Sequence, residues 1–243
     1  MNPDLLILCA TQVEMSHFLT LWPGVSKRVT RTGLTILSGK VHEKTYDLVL
    51  TGAGVFNAAH ALTAYLEHAS PVLILQTGIA GVFQQTGLNI GDVAIATQEH
   101  YIHTGVQTDA FKNAPLPFDV LKDEPLSRQG IYPFDPDMVD QTHDRLCRVF
   151  SITGTRIVKG LFITVSTITS SLNRANQLYC TFSSVMEAME GAACNHIAAL
   201  YGIPIIEVRA ASNFVGERDK EKWDIDLAAK QLGVVCTGVS HLI

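Results

Sequence analysis

Charge and aromatic rings are both scarce in this chain, at 17% and 7% of its 243 residues. With 47% hydrophobic residues, that scarcity excludes a disordered chain and calls for a large buried core. Lysine and arginine form no stripe, and the net charge is −5, so nucleic acid is not expected as a partner. No run of about 18 apolar residues occurs, so no membrane span is expected. The start, MNPDLLILCATQVEM, lacks a positive n-region and does not read as a secretory signal; a cytoplasmic location is expected. The five cysteines are scattered and contain no C-x-x-C, which excludes a disulfide framework and predicts buried thiols in a reducing compartment. His100 and His103 form H-x-x-H without an acid at zinc-ligand spacing, so no metal is expected. Gly52-Ala53-Gly54 follows a strand-like run, but the third glycine of a dinucleotide fingerprint is missing, and no cofactor is expected.

What is present is an alternation of short apolar runs and helical periods. Strands are predicted at 5–9, 34–40, 46–50, 72–76, 91–96, 155–165 and 203–210. Helices are predicted at 11–20, 57–68, 135–150 and 220–232, the third with Asp135 as cap and Pro136 at its first position. The turn-like stretch 41–45 separates two strands, and 77–81, TGIAG, reads as a glycine turn after a strand. Residues 107–131 carry Pro115, Pro117 and Pro125 without a period and read as a long surface excursion. The pattern never breaks, so one domain over 1–243 is expected, an α/β fold of three layers, α/β/α, around a mixed sheet.

The chain is organised around 186–224. Ala193, Ile197, Leu200 and Tyr201 share one helix face; Gly202 and Pro204 stop that helix, and a buried strand follows. Glu190 then stands at a helix start and Asn213 just past a strand end, where α/β sheets build their sites. Met189-Glu190-Gly191-Ala192-Ala193 together with Val208-Arg209-Ala210-Ala211-Ser212-Asn213 resembles the signature of the nucleoside phosphorylase/nucleosidase superfamily. The tail Asn213 to Arg218, continuing to Trp223, resembles the futalosine hydrolases, which carry Asn where methylthioadenosine/S-adenosylhomocysteine nucleosidases carry Asp.

The resemblance implies an N-glycosyl hydrolase acting on a purine nucleoside with water, assembled as a homo-oligomer. It implies Glu14 as catalytic base, Glu190 with Met189 on the ribose, and Ile79, Ala80 and Gly81 along ribose and base. It also brings the 166–171 loop, with Ile168, to the purine face; a plain Ser/Thr loop is the alternative. Arg209 is implied as orienter of the water or partner of Glu14, with an ordinary salt bridge as the alternative. Locally, Thr11-Gln12-Val13-Glu14 also fits a capping box, and cap and base compete for one carboxylate. The first turn has no arginine or glycine and presents Glu14, which suits water rather than phosphate. Asn213 carries an amide that donates to the O6 and N7 acceptors of a 6-oxopurine, unless it only caps a turn. Arg218 is a candidate for a carboxylate on the 5′ side, or else pairs with Asp219 or Glu221; Trp223 is core or lid. Futalosine hydrolysis in menaquinone synthesis is what the resemblance implies. The alternatives are an adenine-releasing methylthioadenosine, S-adenosylhomocysteine or aminofutalosine nucleosidase, and a non-catalytic nucleoside-binding protein.

Overall fold

Five consecutive residues from Leu5 to Cys9 have no exposed surface, and this strand, β1 (Leu5–Cys9), runs through the middle of the sheet. An unbroken apolar run of this kind is stable only when both faces and both edges are covered. The computed structural model describes residues 2–22, 24–41 and 44–242. The other strands are β2 (Ser26–Val29), β3 (Thr35–Val41), β4 (Lys44–Leu50), β5 (Leu73–Val82), β6 (Val93–Tyr101), β7 (Ile131–Pro133), β8 (Ile157–Thr164), β9 (Met186–Ala188) and β10 (Ile205–Phe214). The helices are α1 (Ser16–Thr20), α2 (Val55–Leu66), α3 (Pro136–Val149), α4 (Leu172–Phe182), α5 (Gly191–Tyr201) and α6 (Ile225–Val239).

The strands form one mixed sheet in the order β10-β6-β8-β9-β5-β1-β4-β3-β2, with β7 on β6. β10 also pairs with β5, so β10, β6, β8, β9 and β5 close into a ring. Helix α2 packs on α5, while α6 packs on α1 and α3 and covers β5 and β10. The expected mixed sheet between helices is there, with one end rolled up. A main core runs from Leu5 to Val239, and a smaller cluster around Phe83, Ile163, Leu178 and Val215 lies apart from it.

Several local expectations are met by side-chain chemistry. Asp135 accepts from the Met138 N–H and starts α3. Gly202, at φ 65, ends α5 in the left-handed region that glycine tolerates. Others need correction. Residues 77–81 are not a turn: β5 continues to Val82, because β10 pairs with it from Ile74 to Val82 and satisfies its backbone. The helix expected at 11–20 begins only at Ser16; residues 12–15 are a turn. The helix expected from 220 is a short 3-10 turn, Lys220–Lys222, and then α6, whose cap Asp224 accepts from the Leu227 N–H. β10 reaches Phe214, so Asn213 lies inside a strand. β2 escaped prediction because all four of its residues are exposed and it has no apolar face. Cys147 and Cys180 are exposed, unlike the buried Cys9, Cys194 and Cys236; all five are free. Part of the stretch 41–45 lies outside the described residues.

Candidate functional site

A cavity of about 240 Å³ opens where the loop after β1, the end of β5, the 166–171 loop, the β9–α5 junction and the end of β10 converge. Glu14, Ile79, Ala80, Gly81, Ile168, Met189, Glu190, Asn213 and Arg218 all line it, with Trp223. Residues up to 213 positions apart in sequence, Ala10 and Trp223, thus meet at one place. Arg209 does not line it.

Glu14 is 5% exposed and bonded on both oxygens. Its Oε2 accepts from the Thr11 N–H and the Thr11 hydroxyl, each at 2.7 Å. Its Oε1 accepts only from the Ile79 N–H, at 3.0 Å. A carboxylate offers about four acceptor sites, so Oε1 keeps one for a ligand. Cap and cavity group are therefore compatible: one oxygen is spent on Thr11 and the other faces Ile79 and the cavity. Gly78 makes this possible. A Cβ there would stand 2.9 Å from Glu14 Oε1 and 2.7 Å from Arg209 Nη1.

Glu190 precedes the first residue of α5, yet its side chain makes no cap bond. Its Oε1 accepts from the Gly54 N–H at 2.9 Å, and its Oε2 from Arg209 at 3.2 Å. Gly54 has φ 95, so the second glycine of the G-x-G is needed for backbone shape and turns its amide onto a carboxylate. Arg209 has 1% exposure; its Nε donates to Glu207 Oε1 at 2.8 Å. Burial alone would lower its pKa, but Glu207 and then Glu190 more than offset this and hold it charged. Arg209 forms no ion pair with Glu14; its partners are Glu190 and Glu207, as in the salt-bridge alternative. Removing one partner of such a buried pair costs about 3–5 kcal/mol.

Asn213 is re-aimed by a bulge. Ala211 pairs with Ala80 and Asn213 with Gly81, so Ser212 is the extra residue. The Ser212 hydroxyl donates to Asn213 Oδ1 at 2.8 Å, and Asn213 Nδ2 donates to the Phe214 carbonyl at 3.0 Å. The opposite amide orientation would set two acceptor oxygens together at Phe214. One N–H of the amide is thus occupied and one remains, where the sequence allowed two. Arg218 is exposed and lies over the Trp223 ring, 5.1 Å from its centroid. The acids beside it pair with Lys222 instead.

Sequence reasoning missed Glu187. It sits in β9 opposite Gly81, so Gly81 lies between Glu187 and Asn213 in the sheet. Its oxygens accept from the Thr169 N–H at 3.1 Å and the Thr169 hydroxyl at 2.5 Å. Burial raises its pKa, and the Thr169 bonds oppose that. Glu207 was missed too. A charge inside the apolar run Ile205-Ile206-Glu207-Val208 must be paired, and Arg209 two residues on shares its strand face. His100 packs edge-on against Phe182, and burial lowers its pKa to about 4. Among the described residues no group of three His, Cys, Asp or Glu could hold a metal ion, and no helix is long and apolar enough to cross a membrane.

Residues 4–239 match the profile of the Phosphorylase superfamily. A 5′-methylthioadenosine/S-adenosylhomocysteine nucleosidase of Haemophilus influenzae (strain PittGG) is 25% identical over 207 residues, 84% of each chain. A futalosine hydrolase of Acidothermus cellulolyticus is 32% identical over 197 residues, 79% of this chain and 73% of its own. The 5′-methylthioadenosine/S-adenosylhomocysteine nucleosidase from Neisseria meningitidis, solved with methylthio-immucillin-A, has a TM-score of 0.83 at 20% identity over 98% of this chain and 99% of that one. The futalosine hydrolase of Helicobacter pylori strain 26695 has a TM-score of 0.80 at 18% identity, over 98% and 97%. The two structures share the fold, and the sequence match spans nearly the whole chain: it belongs to the phosphorylase superfamily.

Proposed function

We propose that the chain hydrolyses the N-glycosidic bond of a 6-oxopurine nucleoside, with futalosine as substrate, hypoxanthine as leaving base and menaquinone synthesis as its place. The observation that carries hydrolysis is the charge of the cavity. Its lining includes three carboxylates, Glu14, Glu187 and Glu190, and one cation, Arg218. Arg209 is already paired with two acids and does not line the cavity. A phosphate dianion would enter against this charge, whereas water meets a free acceptor site on Glu14 Oε1. Glu190 then accepts from the ribose hydroxyls and places negative charge beside the forming ribosyl cation. Activity is expected to be independent of phosphate, with the free sugar as product. A sugar 1-phosphate formed in phosphate buffer, identified by mass spectrometry, would replace this reading with phosphorolysis.

Asn213 supports the 6-oxopurine. Its remaining N–H suits an acceptor such as O6 or N7, while its oxygen already accepts from Ser212 and keeps one acceptor site. Asn cannot give up a proton, so any proton to the base comes from elsewhere; Glu187, a cavity acid with a raised pKa, is the candidate. A second reading, an adenine-releasing nucleosidase, is favoured by the Haemophilus influenzae relative, which matches more of the chain at lower identity. Incubation with futalosine, aminofutalosine and methylthioadenosine in parallel, followed by analysis of the released base, separates the two.

Arg218 suits the carboxylate that futalosine bears on its 5′ side. It lines the cavity, forms no ion pair among the described residues, and is steadied by Trp223. Arg218→Ala is expected to raise KM for futalosine about tenfold, near the upper end for an exposed charge-assisted pair of roughly 1.4 kcal/mol. Inosine, which lacks that carboxylate, should respond little. Equal responses in parallel kinetics would make Arg218 a structural residue.

A further inference from the structure

Two fully buried acids lie behind the cavity. Glu99 on β6 and Glu207 on β10 each have no exposed surface. One oxygen of each is accounted for. Glu99 Oε2 accepts from the Thr164 hydroxyl at 2.6 Å, and Glu207 Oε1 accepts from Arg209 Nε at 2.8 Å. The other two, Glu99 Oε1 and Glu207 Oε2, have no donor from any other group among the described residues. Both converge on Gly191, crowding the place where a Cβ would stand. Two buried acceptor oxygens brought to the same point, with no protein donor for either, are satisfied by a proton on one of them.

Charge counting leads to the same point. Glu99, Glu207 and Glu190 surround a single guanidinium, Arg209. Three ionised carboxylates would leave two negative charges uncompensated in a closed space. Burial, and then the neighbouring Glu207, push the Glu99 carboxyl well above the usual range. Burial raises Glu207 as well, but there Arg209 works in the opposite direction.

We propose that Glu99 and Glu207 hold one proton between them, resident on Glu99, and that Glu207 in its ionised form positions Arg209 and thereby Glu190. Glu99 donates from Oε1 to Glu207 Oε2. Glu207 keeps its charge because it faces the guanidinium. Arg209, fixed at Nε, presents Nη2 to Glu190 Oε2, while the Gly54 N–H holds Oε1. Glu99 is anchored in turn through Thr164, whose hydroxyl oxygen accepts from the Ala192 N–H in the first turn of α5. Glu190, at the start of the same helix, is held through both routes. None of the three residues behind it lines the cavity, so their role is positioning. Gly191 is required because any side chain would enter the space of the acid pair.

The chemistry predicts an asymmetry. A glutamine at 99 keeps an N–H where the protonated acid has its O–H, and still accepts from Thr164 with its carbonyl. Glu99→Gln is therefore expected to keep kcat and KM within about threefold. Glu207→Gln removes the charge that holds Arg209, and KM should rise about tenfold or more. The functional arm rests on the nucleosidase reading, since it presumes that Glu190 holds the sugar. The spectroscopic arm does not. The infrared difference spectrum of wild type minus Glu99→Gln at neutral pH should show the loss of one protonated carboxyl component, apart from any contribution of Glu187. A difference spectrum without that component would overturn the shared proton whatever the substrate. Equal losses in Glu99→Gln and Glu207→Gln, with both variants folded, would overturn the positioning role. If Glu207→Gln does not fold, Glu99→Gln and the wild-type spectrum still decide the shared proton.

Discussion

Glu14→Gln is expected to remove nearly all hydrolysis, by a factor of about 10²–10⁴, the range for losing a general base. Binding of a non-hydrolysable nucleoside analogue should stay within about tenfold, or roughly 1.4 kcal/mol. The side chain keeps its length and place, so the sugar and base contacts made by other residues persist. The amide lacks a basic oxygen where the water stands. It also conflicts with its neighbours. Four donors converge on the carboxylate: the N–H and hydroxyl of Thr11, the thiol of Cys9 and the N–H of Ile79. With the amide oxygen toward Thr11, its NH₂ meets the Ile79 N–H, and one buried donor is left unpaired. That costs about 1–3 kcal/mol of stability. A melting curve beside the rate measurement separates this cost from the lost chemistry. Wild-type turnover in the variant would mean that Glu14 only caps the turn, and the proposed base would be wrong.

Asn213→Asp is expected to shift preference from hypoxanthine toward adenine nucleosides by about tenfold or more in the kcat/KM ratio, with lower total activity. The local bonds explain both effects. The Asn213 amide donates to the Phe214 carbonyl and accepts from Ser212. A carboxylate at 213 would turn an oxygen onto that carbonyl, and Glu187 lies on the other side of Gly81. Both disfavour the charged form, so the new acid should be protonated more readily than a free Asp. A protonated Asp donates to N7 and accepts from the amino group of adenine, whereas an ionised one donates nothing to O6 of hypoxanthine. Competition between futalosine and aminofutalosine, read as released bases, gives the ratio directly. An unchanged ratio would place base recognition elsewhere, with Glu187 and the Thr169 loop the next groups to vary.

Much of this was legible in the sequence because it was written in local chemistry. β1 was visible as an unbroken apolar run, α3 by its Asp-Pro start, and the end of α5 by Gly202 and Pro204. The residues proposed for the site were named from motifs at element ends, and nearly all of them line one cavity. Short-range patterns fail where stability comes from distant partners. TGIAG read as a turn because two glycines suggest one; pairing with β10, more than 120 residues away, makes it a strand. Its glycines instead make room for Glu14, Arg209 and Asn213. The bulge at Ser212 is a mismatch in length between two strands, and neither strand reveals it alone. Arg209 could be assigned to Glu14 or to a water from sequence, but a guanidinium bonds whatever packing brings within reach. Packing brought Glu190 and Glu207. The same holds for Glu99 and Glu207, which lie 108 positions apart and have meaning only as a pair. Sequence determined the residue types and the elements, since these follow from side-chain periodicity and capping. Tertiary structure alone decided which charges meet, because pairing of buried charges depends on the distance between strands and not on their order in the chain.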